Sequence, residues 1–220
     1  MSSIKAILFD LDGTLADTAP DLADALNRTL DHENKPRLSF EKIRPEVSHG
    51  GIAMIKLAFG IGPEHADYQR LREKFLSEYL SKIACKTTLF PGIHALLKQI
   101  EEKKLVWGVI TNKPSWLTAP LMRALNLNHR AACIVSGDTA AKSKPYPEPM
   151  WLACEQIGIK PEHCIYVGDA ERDIEAGRIV GMKTIAALFG YLQQQDIPAN
   201  WGADALVNHP EEIWSHLAKW

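Results

Sequence analysis

"KAILFDLDGT", Lys5 to Thr14, sets an apolar run against two aspartates two residues apart, with a glycine directly behind them. Ile4 to Phe9 reads as a buried strand: short, apolar, and ended by polar residues and Gly13. Residues i and i+2 of an extended chain point the same way. Asp10 and Asp12 therefore face one cavity if the extension continues to Asp12, and Gly13 permits the chain to turn at once.

Beyond that strand the period changes. Thr18 reads as a helix cap with Pro20 in the first turn, and Leu22, Ala25, Leu26, Thr29 and Leu30 line one stripe. Helical runs follow near Phe40 to Val47, Ile52 to Phe59 and Glu64 to Ile83. In the last of these, Tyr68, Leu71, Phe75 and Tyr79 recur at helical spacing and read as the unit's own core. No strand is expected between residues 18 and 84. "LFPG", Leu89 to Gly92, breaks the pattern. Helices then alternate with short apolar strands at Val106 to Ile110, Cys133 to Val135, Cys164 to Val167, Thr184 to Leu188 and Ala205 to Val207, before a C-terminal helix. The expected fold class is α/β, a Rossmann-like parallel sheet with helices on both faces and an all-helical insert after the first strand. The core takes residues 1–16 and 85–220, and the insert takes 17–84.

Open parallel sheets bind ligands outside the carboxyl ends of their strands. Four polar clusters fall at such ends: Asp10 with Asp12, Thr111 with Asn112, Asp138 with the Lys142 to Lys144 region, and Asp169 with Asp173. Two like charges in one pocket repel and raise a pKa unless a cation intervenes. Asp169 adds a third carboxylate, and few histidines lie nearby, a donor set that suits Mg²⁺. A phosphate group needs the same ion, a lysine and backbone donors. The lysine is Lys142 or Lys144, with Lys142 read as a surface residue. The donors come from Leu11 to Asp12 and from Asn112 to Lys113.

Composition narrows the class. The formal net charge is −2 with no basic block, which argues against nucleic acid. The start does not read as a signal peptide, and no stretch approaches a membrane span. Cys85, Cys133, Cys154 and Cys164 form no Cys-x-x-Cys pair and read as reduced thiols of a cytoplasmic protein. The histidines are too dispersed for zinc, and no Gly-x-Gly-x-x-Gly opens a dinucleotide site.

The four clusters, in this order, resemble the haloacid dehalogenase superfamily. "DLDGT" resembles its first motif, "VITN" its second, "SKPYPEP" its third and "VGDAERD" its fourth, so the likeness spans nearly the whole chain. The helical insert is similar to that family's small cap. The resemblance implies a phosphomonoesterase in which Asp10 attacks phosphorus and Asp12 serves as acid, then base. Mg²⁺ would be held by Asp10, the Asp12 carbonyl and Asp169. Asp173 would orient the metal's waters or support Lys144, while Thr111, Asn112 and Lys144 hold phosphoryl oxygens. Within the superfamily the chain looks like the phosphoglycolate phosphatase group. "LVWGVITNKP", "SKPYPEP" and "NWGAD" resemble bacterial N-acetylmuramic acid 6-phosphate phosphatases of cell-wall sugar recycling.

The cap must then read the rest of a small phosphate ester. Its expected reading loop is "VSHGG", Val47 to Gly51, where Ser48 and His49 would bond a carboxylate or hydroxyl and Gly50 and Gly51 allow close approach. Arg44 is a further candidate for a substrate carboxylate, and Arg172 for a contact from the core side. The cap is expected to open and close about the crossings near Asp17 and Cys85. A phosphosugar mutase would use the same aspartates, and a phospho-accepting regulatory module would share the strand-end chemistry but needs neither Asp12 nor an insert. The protein is expected to be a monomer or weak homodimer.

Overall fold

The structure is a computed structural model and describes residues 4–217 and 220. In chain order the strands are β1 (Ala6–Phe9), β2 (Ala16–Asp17), β3 (Thr88–Leu89), β4 (Val106–Ile110), β5 (Ile134–Val135), β6 (Cys164–Gly168), β7 (Lys183–Ala187) and β8 (Ala205–Val207). The helices are α1 (Ala19–His32), α2 (Phe40–Ile43), α3 (Gly50–Phe59), α4 (Tyr68–Ser81), α5 (Ile93–Glu102), α6 (Ser115–Ala124), α7 (Glu148–Ile157), α8 (Glu171–Ile179) and α9 (Glu211–Leu217). Met1 to Ser3, included in the expected core, lie outside the described residues.

Six strands make one parallel sheet in the order β5–β4–β1–β6–β7–β8. Side chains alternate across it. Ile7 and Phe9 of β1 join the core that holds α5 and the insert, while Ala6 and Leu8 pack with Met150, Ala153 and Cys154 of α7. Both faces are covered, which is why the strands read as continuous apolar runs. β1 is central. Phe9 pairs with Val109 on one side and Val167 on the other, and the chain leaves toward opposite edges on either side of this point. That switch point opens a crevice at the strand ends, where Asp10, Thr111 and Asp169 emerge.

Helices α1 to α4 form the insert above this crevice. α1 packs along α4, tied by Arg28 to Glu78 at 2.9 Å. Tyr68, Leu71, Phe75 and Tyr79 are buried, as their spacing implies. The two crossings pair with each other as an antiparallel ribbon, β2 with β3, which the sequence reading did not include. Asp21 of α1 locks the return crossing, accepting from the Lys86 and Thr87 amides and the Thr87 hydroxyl at 2.7–3.0 Å.

The expected "VSHGG" loop is helical. Pro45 has no N–H to continue an α-helix, so α2 tightens into a 3-10 helix over Arg44–His49. Gly50, at φ 72°, makes the bend into α3.

Candidate active site

β1 delivers Asp10 with its backbone still paired to the sheet: the Asp10 amide donates to the Val167 carbonyl at 2.9 Å. The chain then turns tightly, with Ala16 N donating to Leu11 O at 2.9 Å and Gly13 N to Ala16 O at 3.1 Å. Gly13 sits at φ 85°, and a Cβ there would lie 2.1 Å from Asp169 Oδ2. Left-handed backbone and close approach to a carboxylate both demand glycine at this position. Asp10 and Asp12 line the same cavity, as their spacing implies.

Asp10, Asp169 and Asp173 are buried and bring carboxylate oxygens within 4.8 Å of one another. Lys144, also buried, is the single ammonium among the described residues that reaches this group. Its Nζ lies 3.0 Å from Asp10 Oδ1 and 2.7 Å from Asp173 Oδ1, and donates to the Ile110 carbonyl and Tyr166 hydroxyl. Burial pulls the Lys144 pKa down, but Asp10 and Asp173 outweigh it and the value is raised. Burial raises Asp10 to about 6, against the pull of Lys144 and with Asp173 and Asp12 adding to the rise. Burial also lifts Asp169 to about 7, with Asp10 and Asp173 reinforcing it. Three buried carboxylates against one ammonium leave negative charge uncompensated. Hard oxygen donors so arranged fit a divalent cation such as Mg²⁺.

Asp173 serves two roles. Its Oδ2 accepts from the Ala170 amide at 3.0 Å, holding the start of α8, while Oδ1 faces Lys144. Lys142 lies outside, 3.7 Å from Glu148, as read from the sequence. Asp138 is also peripheral: it accepts from the Ser115 amide and hydroxyl at the start of α6.

Thr111 and Asn112 follow β4 into the cavity wall. The Asn112 side chain clamps the neighbouring loop, accepting from Lys144 N at 3.0 Å and donating to Lys144 O at 2.9 Å. The amides of Asp12 and Asn112 have no protein acceptor among the described residues, which leaves two donors at this rim.

Asp12 is held by residues the sequence reading did not assign. Lys113 Nζ lies 2.9 Å from Asp12 Oδ1, and the Thr18 hydroxyl donates to the same oxygen at 2.6 Å. Thr18 makes no side-chain cap bond to α1; its hydroxyl is spent on Asp12 instead. Tyr191 is the third missed residue. Its amide donates to Asp169 Oδ2 at 2.8 Å, its hydroxyl donates to Asp17, and that hydroxyl accepts from the Ala19 amide.

The cavity is about 610 Å³, with Asp10, Asp12, Thr111 and Asn112 on one side and the insert on the other. His49, Gly50, Gly51 and Arg172 line it. Ser48 does too, but its hydroxyl donates to Asp169 Oδ2 at 2.7 Å, at the carboxylate cluster instead of toward a distal substrate group. Arg172 bonds the Ser48 carbonyl and so joins core to insert. Arg44 is not brought to the cavity. Its guanidinium stacks 4.9 Å from the Tyr191 ring centre and donates to the Phe189 carbonyl, because the 3-10 turn directs it to the core loop.

The family model for haloacid dehalogenase-like hydrolases matches residues 7–187. The chain belongs to the haloacid dehalogenase-like hydrolases. It is 42% identical over 210 residues to the N-acetylmuramic acid 6-phosphate phosphatase of Pseudomonas aeruginosa, covering 96% of this chain and 93% of that one. It is 40% identical over 214 residues to a phosphoglycolate phosphatase of Xanthomonas campestris, covering 97% and 96%. A crystal structure of a protein described as a predicted phosphoglycolate phosphatase from Haemophilus somnus superposes with a TM-score of 0.87 at 25% identity, over 98% and 99% of the two chains. Family and relatives together mark this haloacid dehalogenase-like hydrolase as a phosphoric monoester hydrolase. Among the described residues no helix is long and apolar enough to cross a membrane.

Proposed function

We propose that this hydrolase cleaves a carboxylate-bearing sugar phosphate, N-acetylmuramic acid 6-phosphate, through a phosphoryl group carried on Asp10. The observation that carries the reading is the opposition of two differently held carboxylates in one cavity: Asp10 on Lys144, Asp12 on Lys113 and Thr18. On this reading one bonds phosphorus and the other moves a proton.

Asp10 attacks phosphorus in line; the P–O bond to the sugar breaks as the Asp10–P bond forms. Asp12 gives the leaving oxygen its proton, then takes one from the water that cleaves the aspartyl phosphate. Phosphate departs and Asp10 is restored. The Thr111 hydroxyl and the Asp12 and Asn112 amides bind the phosphoryl oxygens, and Lys144 holds Asp10 in place. Asp10 and Asp169 would hold Mg²⁺ with the Asp12 carbonyl, and Asp173 would keep Lys144 oriented. The ion, when bound, neutralises the charge of the phosphoryl group. Residues 17–84 act as a cap that shuts water out, with the Ser48 and Arg172 contacts favouring closure.

The cavity's volume of about 610 Å³ suits an amino sugar acid better than two-carbon phosphoglycolate. The test is phosphate release with Mg²⁺ from both esters at matched concentrations. Preference for the muramic sugar supports this reading. Preference for phosphoglycolate replaces it with the activity named for the Xanthomonas relative, and turnover without phosphate release points to a mutase.

A further inference from the structure

The geometry points to Arg72 as the anchor for the substrate's carboxylate, a subsite in the cap distinct from the phosphate end of the cavity. The inference rests on the phosphatase reading above and assigns the residue that reads the second anion.

α4 turns one face inward, carrying the buried Tyr68, Phe75 and Tyr79. Arg72 lies four residues after Tyr68 and three before Phe75, on that same face, and lines the cavity beside them. It is the one charged residue of the stripe. The other cations of α4 have acidic partners: Arg70 meets Glu33 at 2.6 Å, and Lys74 meets Glu78 at 2.8 Å. Arg72 is half-buried and has no hydrogen-bond or ion-pair partner among the described residues.

The remaining charges of the cavity are accounted for. Lys113 is on Asp12, Asp10 is on Lys144, and Arg172 is on the Ser48 carbonyl. Arg72 is therefore a guanidinium on the cavity wall with no protein acceptor among the described residues, free to meet an anion that enters. Its planar fork matches a carboxylate bidentately. Gly51 lines the cavity beside Arg72, where a Cβ would stand 3.5 Å from Arg72 Nε, so glycine leaves that much more room at the guanidinium. Arg44, the further candidate for this role, is already engaged at Tyr191 and Phe189.

The experiment compares kcat and KM on N-acetylmuramic acid 6-phosphate and on N-acetylglucosamine 6-phosphate, which lacks the lactyl carboxylate. The variants are Arg72→Gln, Arg72→Lys and, as an outward-facing control, Arg70→Gln. The wild type is expected to favour the acidic sugar. Arg72→Gln should lower that preference about 10- to 100-fold, mainly through KM, Arg72→Lys should restore part of it, and Arg70→Gln should keep it. Should Arg72→Gln not fold, the reduced preference of Arg72→Lys is the deciding result. An undiminished preference in the Arg72 variants overturns the inference and leaves the phosphatase reading standing. No preference in the wild type overturns the carboxylate-bearing substrate, and the anchor with it.

Discussion

Lys113 and Asp12 form an ion pair at 2.9 Å with both side chains largely buried, and Tyr79 of the cap covers it, its ring centre 4.6 Å from Lys113 Nζ. Burial works against the Lys113 charge, but Asp12 and Tyr79 outweigh it and raise its pKa. In the proposed mechanism the pair would aim the Asp12 carboxyl at the leaving oxygen. Lys113→Met should lower kcat on an alkyl phosphate about 100-fold with KM little changed. An aryl phosphate, whose leaving group needs less protonation, should lose far less. Equal losses on both would remove Lys113 from the proton step.

Gly13 holds Asp169 and the turn after β1 together. In Gly13→Ala the new methyl meets Asp169 Oδ2, and φ 85° disfavours any side chain. A loss of about 3 kcal/mol or more in denaturant unfolding is expected. A neutral result would mean the turn adapts without cost.

On the proposed reading, the carboxylate cluster would trade stability for metal binding. Burial, Asp10 and Asp173 raise Asp169 to about 7, so its charge is unfavourable in the metal-free fold. Asp169→Asn should raise the metal-free melting temperature by roughly a few degrees and abolish further stabilisation by Mg²⁺. Thermal melts with and without the ion decide it. An unchanged Mg²⁺ response in the variant would place the ion elsewhere.

Glu78 fastens α4 to α1. Hydrogen bonds from Lys74 and Arg28 lower its pKa from 4.5 to about 2. A depressed carboxylate adds stability above its unfolded value and loses it as pH falls through the folded one. Glu78→Gln should therefore cost about 1–2 kcal/mol at neutral pH, after allowance for solvent screening. The gap to wild type should close between pH 4.5 and about 2, and a constant gap across that range would contradict the pairing.

The strand ends were legible because each apolar run stops at a polar residue whose chemistry a parallel sheet must gather. Asp10, Asp12, Thr111, Lys144, Asp169 and Asp173 were proposed that way, Asn112 with them, and the structure gathers them at one rim. Lys113 was read only for its backbone donor; its side chain is covered by Tyr79 of α4, far away in sequence. Thr18 looked like a helix cap because a free hydroxyl before Pro20 usually is one; Asp12 outcompetes the helix for it. Arg72 did leave a signal. Its phase on α4 matches Tyr68 and Phe75, but phase alone does not separate a cavity face from a packed one. Arg44 misled for the complementary reason: a cation near the glycines is attractive on paper, and only the 3-10 turn directs it to Tyr191.

The most direct test of the account is phosphate release from N-acetylmuramic acid 6-phosphate by wild type and Asp10→Asn protein, each with Mg²⁺. The account predicts that Asp10→Asn folds, binds the ester and releases phosphate at least about a thousandfold more slowly. Release by Asp10→Asn at a rate near wild type would contradict it, because the account puts the phosphoryl group on Asp10.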